Sequence, residues 1–447
     1  MINKFKKFLK QVQDDGVSVL CRCHAELVSA SKSCCLILFF YYTTANAQQL
    51  VSQPFVGHTT KNEINIWCLF KDVDTVYIKN SDNQTKSFIY KKENCYKSYL
   101  PVNCRFDALQ ENQSYHFQYS FNNNHFFPLI SAKTNNDSIS NFSFLAGSCA
   151  FIPTGANAMM KPGTSLEIFD YMKKDSADFM LWLGDNLYYF LDYRSYKTQL
   201  KRNIKTRLKT PISAFLNSKQ QYAIWDDHDY GSDNSDGTFK HKTSSLNVFQ
   251  QFWSNPKNGT NNYFTFHQQD CQFFMLDDRY NNEKDKTVLG KTQLDWLKNE
   301  LLTSTATFKF VCIGMQALNP ISTLECFYKT EKEYKELVAF IKEHRISGII
   351  FLSGDRHHGE LMKIEEPGMY PLYDFTTSPL TMYPIKLSKK SSEYINPNKV
   401  TSTYYTNYNY GKISIIGEPQ NRKCMIELKD NTGKTVWTRE ILANDLK

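Results

Sequence analysis

The chain has 447 residues, of which 41% are hydrophobic and 22% charged, and this balance excludes a wholly disordered protein. The formal net charge of +8 is diffuse, and the sequence contains no basic stripe with interleaved aromatic residues of the kind that binds nucleic acid. We therefore expect a globular protein with one large and one small domain, and no nucleic-acid partner.

The first 47 residues have the features of an export signal. Four lysines lie among the first ten residues, an apolar run covers Leu36–Tyr42, and small residues occupy Ala45 and Ala47. This order predicts a signal peptide over residues 1–47, cleaved after Ala47, and an exported protein that is periplasmic or extracellular. The apolar run is shorter than the roughly 20 residues of a membrane span, so we expect no permanent membrane anchor.

Residues 51–135 carry a β-strand pattern and predict a small all-β sandwich domain. Runs with period-two alternation predict three of its strands: Ile64–Phe70, Thr75–Ile78 and Ser114–Tyr119. The polar segment Ser131–Ser140 is the predicted linker to the next domain. Cys95 and Cys104 are a candidate disulfide pair in an oxidising compartment.

Residues 141–447 alternate apolar runs of strand length with helical stretches, which predicts an α/β layered domain. The predicted strands are Phe142–Leu145, Phe179–Leu183, Tyr222–Trp225, Phe273–Leu276, Phe308–Ile313 and Gly348–Leu352. Apolar residues at three-four spacing predict the helices Lys291–Leu302 and Glu331–Arg345. A long loop, Lys386–Lys412, and closing strands are predicted at the end: Lys412–Ile416, Lys423–Leu428 and Val436–Ile441.

Five of the predicted strands end in polar clusters: Gly147–Cys149, Gly184–Tyr188, Asp226–Asp229, Leu276–Arg279 and Ser353–His358. Taken singly, each cluster has a plain structural explanation, such as a turn, a hydrated acidic loop, a surface ion pair or a buried thiol. Loops beyond the carboxyl ends of strands converge in α/β sheets. Several carboxylates with imidazoles, a phenol and a thiol are then the donors that a pair of metal ions needs.

The segments FLAGSC, DFMLWLGDNLYY, YAIWDDHDYG, FFMLDDRY and FLSGDRHHGEL resemble, in this order, the motif series of the PhoD-like alkaline phosphatases within the calcineurin-like metallophosphoesterases. The resemblance covers about residues 142–380. It implies an αββα-sandwich metallophosphoesterase domain and a binuclear metal centre, with Fe(3+) paired to Ca(2+), or alternatively Zn(2+), Mn(2+) or Mg(2+). Matched position by position, the implied metal ligands are Cys149, Asp185, Tyr188, Asp227, Asp355 and His357.

The same resemblance implies hydrolysis of phosphate esters by a metal-activated hydroxide. Asp185 would bridge the two ions, and His228 would contact phosphate or protonate the leaving group. We add Arg279 and Arg356 as candidate phosphate contacts, because the guanidinium fork matches phosphate oxygens. The sequence departs from the superfamily pattern after a later strand, where Gln316 stands in a region that supplies a histidine in relatives. Gln316 is either a weaker ligand or a loop residue.

Other activities stay open at this point. Phosphodiesterase or phospholipase-like activity would use the same centre, and a non-catalytic phosphate- or glycan-binding surface protein would use the same fold. The complete ligand set together with His228 favours an enzyme over a binding protein. We expect a monomer that acts on a phosphate ester substrate.

Overall fold

The structure is a computed structural model that describes residues 48–136, 138–154, 166–259, 261–284 and 286–447. The predicted signal peptide, residues 1–47, lies outside the described residues. The described residues, from 48 onwards, form one compact unit. Within the described ranges, no helix combines the length and the apolar character needed to cross a bilayer.

The N-terminal part consists of seven strands in two sheets. The strands are β1 (Gln49–Thr59), β2 (Ile64–Lys71), β3 (Thr75–Lys79), β4 (Thr85–Ile89), β5 (Tyr99–Phe106), β6 (Ser114–Ser120) and β7 (Phe127–Lys133). One sheet has the order β1-β2-β5 and the other β4-β3-β6-β7. Buried residues of both sheets, among them Ile66, Val76 and Tyr115, share one core. The predicted all-β region is therefore confirmed.

Two predictions for this region are wrong in detail. The predicted linker starts too early, because Ser131 still belongs to β7. Most of β7 is exposed or half-buried, so its polar composition resembles that of a loop. The predicted disulfide is not formed: Cys95 and Cys104 are both free and buried. Burial raises the pKa of the Cys104 thiol to about 12.

The α/β part contains twelve further strands and seven helices among the described residues. The strands are β8 (Phe142–Gly147), β9 (Phe179–Leu183), β10 (Gln220–Ile224), β11 (Phe264–Gln268), β12 (Cys271–Met275), β13 (Phe308–Cys312), β14 (Ile349–Ser353), β15 (Glu360–Ile364), β16 (Leu372–Thr376), β17 (Asn409–Ile416), β18 (Lys423–Asp430) and β19 (Thr435–Leu442). The helices are α1 (Ile168–Lys174), α2 (Tyr196–Arg207), α3 (Thr210–Ser218), α4 (Asp227–Tyr230), α5 (Lys242–Phe252), α6 (Gly290–Thr303) and α7 (Glu331–Glu343).

Two six-stranded sheets pack face to face. Their orders are β10-β9-β8-β17-β18-β19 and β11-β12-β13-β14-β16-β15. Aromatic side chains fill the space between them: the Phe144 ring lies 5.2 Å from that of Phe273 and 5.3 Å from that of Phe310, both edge-on. Such edge-to-face pairs are the favoured geometry for buried aromatic rings.

Helices cover the outer faces of both sheets. Apolar residues of α1, α2 and α3 share a core with the first sheet, as Phe169 and Phe215 do with Trp182. Leu294 of α6 and Leu337 of α7 belong to the core of the second sheet. The layers are thus helix, sheet, sheet and helix, and the predicted αββα sandwich is confirmed.

The topology brings the predicted site loops to one edge. Strands β8, β9 and β10 run parallel to one another, as do β12, β13, β14 and β16 in the other sheet. The carboxyl ends of each parallel set therefore open onto a common edge. The predicted loop Lys386–Lys412 contains no helix or strand as far as residue 408, but its last four residues belong to β17, which begins at Asn409.

Candidate metal centre

Side chains from four strand ends meet at this edge. Three groups of donor atoms, each with all its members within 4.8 Å of one another, occur among the described residues: Cys149, Asp185 and His357; Asp185, Asp227 and His228; and Asp185, Asp226 and Asp355. Asp185 belongs to all three groups. Donor atoms from residues up to 208 positions apart in the chain thus lie close together.

The local backbone of this site is unusual. Four of the predicted ligands have a left-handed φ: Cys149 (56°), Asp185 (53°), Asp355 (65°) and His357 (55°). Residues with a Cβ atom rarely adopt this conformation, and it concentrates at functional positions because other interactions must compensate its cost. Gly184 shows why the loop needs glycine, since a Cβ atom there would lie 2.5 Å from that of Asp226.

The loop after β10 is held by its own carboxylates. Asp226 caps the short helix α4 by accepting a hydrogen bond from the Asp227 N–H (2.9 Å), while Asp229 accepts one from the Asp226 N–H (2.7 Å). Asp229 also accepts hydrogen bonds from the backbone N–H and side-chain amide of Asn186 (3.2 and 2.6 Å). Asp229 therefore ties the loop after β10 to the loop that carries Asp185.

Hydrogen bonds orient the central carboxylate. The Tyr188 hydroxyl donates to Asp185 Oδ2 at 3.0 Å, and the Cys149 Sγ lies 3.5 Å from the same oxygen. The other oxygen, Oδ1, accepts from the His228 N–H at 3.2 Å. The Tyr188 hydroxyl also lies 3.4 Å from His357 Nε2. Five of the predicted site residues are thus linked by contacts with Asp185 or Tyr188.

The site concentrates buried negative charge. Burial, followed by the neighbouring Cys149 and Asp227, raises the pKa of Asp185 well above its usual value. Burial, followed by Asp355, raises the pKa of the Cys149 thiol to about 11. Burial also tends to raise the pKa of Asp227, but the charges of His228 and Arg279 outweigh it and lower that pKa.

These residues fit metal ions. Asp226 Oδ2, Asp227 Oδ1 and His357 Nδ1 are buried and have no hydrogen-bond partner in the structure. Buried polar atoms are normally paired, so three orphaned donors and acceptors around one carboxylate require an explanation. A bound cation would explain them, because it would offset the mutual repulsion of the carboxylates and accept the free lone pairs.

The two predicted phosphate-contacting arginines already have carboxylate partners. Arg279 is buried and pairs with Asp226 and with Glu325, the latter at 2.7 Å. Arg356 is buried and pairs with Glu393. Sequence reasoning missed these pairings, because no local pattern links an arginine to an acid 37 or more positions away. Direct phosphate contact by either arginine stays a prediction.

Gln316 and His358 lie in a neighbouring polar network and in none of the three donor groups. The Gln316 amide donates to Glu360 Oε1 (2.7 Å) and Thr376 Oγ1 (3.1 Å). The His358 ring is buried, with Nε2 3.3 Å from Glu360 Oε1. Of the two interpretations of Gln316, the structure favours a loop residue.

Sequence reasoning also missed Ser378. Its hydroxyl donates to Cys149 Sγ at 3.1 Å and accepts a hydrogen bond from the His357 N–H at 3.0 Å. Ser378 therefore connects two of the predicted ligands. A usable signal was present, because Thr377-Ser378-Pro379 follows directly on β16 and is another polar strand end.

Comparisons with known proteins show which fold and which family the chain resembles. A solved structure of PhoD matches with a TM-score of 0.69 and 15% sequence identity, covering 87% of this chain and 91% of that chain, which shows a shared fold. A Vps29 variant from Entamoeba histolytica matches with a TM-score of only 0.26 and 7% identity, covering 67% of this chain and 99% of that one. No curated protein matches the chain. The family model of the PhoD-like phosphatases matches residues 191–425, just over half of the chain, and the chain therefore belongs to the PhoD-like phosphatase family.

Proposed function

We propose that the chain hydrolyses phosphate esters at a binuclear metal centre held by Cys149, Asp185, Tyr188, Asp227, Asp355 and His357. Phosphoester hydrolysis is the activity that the family supports. The observation that carries the binuclear proposal is the position of Asp185, which belongs to every donor group around it. A carboxylate shared in this way is what two adjacent cations require.

The family resemblance guides the choice of metals, because it implies iron paired with calcium. Carboxylate oxygens suit a hard cation such as calcium, and the thiol, phenol and imidazole donors are compatible with iron. We propose this pair, with zinc, manganese or magnesium as alternatives. When bound, such a pair lowers the pKa of a coordinated water and offsets charge on the phosphoryl group.

Residues of the protein itself would orient the Asp185 carboxylate and supply a proton to the leaving group. The Tyr188 hydroxyl and the His228 N–H hold the two oxygens of Asp185 in a fixed direction. The His228 ring is partly exposed and packs 4.2 Å from the Tyr188 ring, so it lies at the centre and can be reached by a substrate. We propose that His228 donates the proton to the departing alcohol oxygen.

The arginines would contribute charge to this arrangement through their carboxylate partners. Arg279 pairs with Asp226, and its charge lowers the pKa of the neighbouring ligand Asp227. Arg356 lies in sequence between the two ligands Asp355 and His357. We further propose that the enzyme is monomeric and acts outside the cytoplasm, on the strength of the export signal read in residues 1–47.

A phosphate-release assay over a panel of mono- and diesters tests the function. The wild-type protein should release phosphate or alcohol from at least one class, and Asp185→Asn should lose at least a hundredfold in kcat, by the order of magnitude of effects at catalytic groups. The exposed Asp170 on α1 provides the control Asp170→Asn, which should keep wild-type activity. Wild-type protein that binds phosphate but turns over no ester would instead support the non-catalytic alternative.

A further inference from the structure

Two aromatic rings pack against rings of the proposed ligands. The Tyr383 ring lies edge-on to the His357 ring, with 5.2 Å between centroids. The Phe190 ring lies 6.2 Å from the Tyr188 ring and 5.8 Å from the Phe151 ring. The motifs of the metal centre include neither Phe190 nor Tyr383, and the mechanism proposed above gives them no role.

These rings flank one pair of proposed ligands, since the Tyr188 hydroxyl lies 3.4 Å from His357 Nε2. Phe151, Tyr188 and Met382 form one buried cluster with Cys149, and Phe190 packs against it. Tyr383 follows Met382 directly in the chain. Phe190 thus reaches the metal centre through this cluster, whereas Tyr383 reaches it through the His357 ring.

Apolar side chains at and beside these rings are exposed to solvent. Tyr383 is 47% exposed, Leu191 beside Phe190 is 64% exposed, and Ile385 is 37% exposed. The Ile385 N–H donates to the His357 carbonyl at 2.9 Å, so this exposed apolar side chain is also fixed next to the centre. Apolar side chains that lie beside converging polar groups are typical of sites that bind organic ligands.

The backbone of Phe190 gives independent support. Its φ is +52°, a left-handed conformation that a bulky residue seldom adopts. Strain of this kind persists where the surrounding structure imposes it, and it concentrates at ligand-binding positions. Four of the proposed ligands share this conformation, as do loop residues elsewhere such as Lys97 and Arg345, so it is the bulk of the Phe190 side chain that makes its backbone notable.

We propose that Phe190 and Tyr383, flanked by Leu191 and Ile385, form an apolar subsite that receives the organic group of the phosphate ester. The subsite rests on the proposed function, because it presumes that the phosphoryl group binds at the adjoining metal centre. An ester held there extends its carbon skeleton away from phosphorus and onto these rings. Esters of aromatic or apolar alcohols are therefore preferred over esters of small polar alcohols.

The test compares phenyl phosphate with glycerol phosphate, each with a diester counterpart, in Phe190→Ala and Tyr383→Ala. The KM of each variant is divided by the KM of the wild type on the same substrate, so that the intrinsic reactivity of the leaving groups cancels. Loss of one aromatic contact should raise KM for the phenyl ester about tenfold, which is the scale of one such pair together with its buried area. KM for the glycerol ester and inhibition by inorganic phosphate should change less than about threefold, since these ligands do not reach the rings.

Two controls separate a binding role from a structural one. Tyr383→Phe keeps the ring and should restore the low KM for the phenyl ester. Phe127→Ala removes a ring that is 48% exposed in β7 of the N-terminal sheets, and should leave every KM unchanged. A uniform loss on all substrates and on inorganic phosphate, or no change on the phenyl ester, would overturn the subsite.

Inhibition of the wild-type protein keeps the proposal testable even if an alanine variant fails to fold. Phenylphosphonate should inhibit at least about tenfold more strongly than methylphosphonate, and equal inhibition would refute the subsite. A wild-type protein that hydrolyses no ester would instead refute the proposed function, so the two failures are distinguishable.

Discussion

The buried pair Arg356–Glu393 offers a sharp test of how the ligand loop is held in place. The side chain of Arg356 is 2% exposed and that of Glu393 3% exposed. Arg356 also donates to Ser322 Oγ at 3.1 Å, and Glu393 accepts from the Thr323 hydroxyl at 3.1 Å. Glu393 belongs to the segment 386–408, so this pair fastens that segment to the loop carrying Asp355 and His357.

Replacing Glu393 by glutamine leaves the Arg356 charge buried without its counter-charge. Breaking a buried ion pair costs about 3–5 kcal/mol, and because glutamine still accepts a hydrogen bond we expect about 2–3 kcal/mol of lost unfolding free energy. The exposed ion pair Lys335–Glu331 provides a matched control, because its glutamate can also be replaced by glutamine. Glu331→Gln should leave the unfolding free energy essentially unchanged, because this pair is solvent-exposed.

Urea unfolding of the purified protein measures both values, and phosphate release reports the effect on the site. The double variant Arg356→Met with Glu393→Leu replaces the pair by apolar groups and should regain most of the stability that Glu393→Gln loses. If it also regains activity, Arg356 acts through its ion pair, whereas stable but inactive protein supports direct phosphate contact. A Glu393→Gln variant as stable as Glu331→Gln would refute the reasoning.

Three further outcomes are expected. His228→Asn should lower kcat more for alkyl phosphates than for p-nitrophenyl phosphate, whose leaving group needs no proton, and an equal loss would exclude the acid role. Iron-loaded protein should absorb visible light, and Tyr188→Phe should abolish the band; a colourless, iron-free and fully active wild type would exclude the tyrosinate–iron assignment. Burial alone raises the pKa of Glu360, but His358 and Lys399 outweigh it and lower that pKa from 4.5 to about 2. Ionised Glu360 therefore stabilises the fold above pH 4.5, so Glu360→Gln should unfold at lower urea than the wild type at pH 7, and the difference should disappear as pH falls from 4.5 towards 2; a gap independent of pH would contradict this.

Much of the α/β framework follows from the sequence because its strands are buried on both faces. Phe179–Leu183 has the same limits in the sequence and in the structure, since all five side chains are buried and apolar. The exposed strand β7 was missed for the opposite reason, as its composition reflects solvent rather than a core. Burial, and not strand propensity alone, made the strands recognisable.

The candidate ligands were predictable because they follow directly on such strands, where chain order and spatial position coincide. The carboxylate partners of the two candidate arginines were not predictable. Glu393 lies in a segment without secondary structure, and Glu325 lies 46 residues from Arg279, so nothing local marks either acid as a partner of an arginine. The left-handed backbone of Cys149 and Asp185 was equally hidden, because tertiary contacts rather than local propensity impose it.

The central claim is that two cations share the Asp185 carboxylate. Anomalous X-ray scattering from crystals of the protein, grown without added chelator, tests it most directly. We predict two peaks, both within coordination distance of Asp185, one also bound by Cys149 and His357 and the other also bound by Asp227. A single peak, or a pair of peaks that Asp185 does not join, would contradict the account.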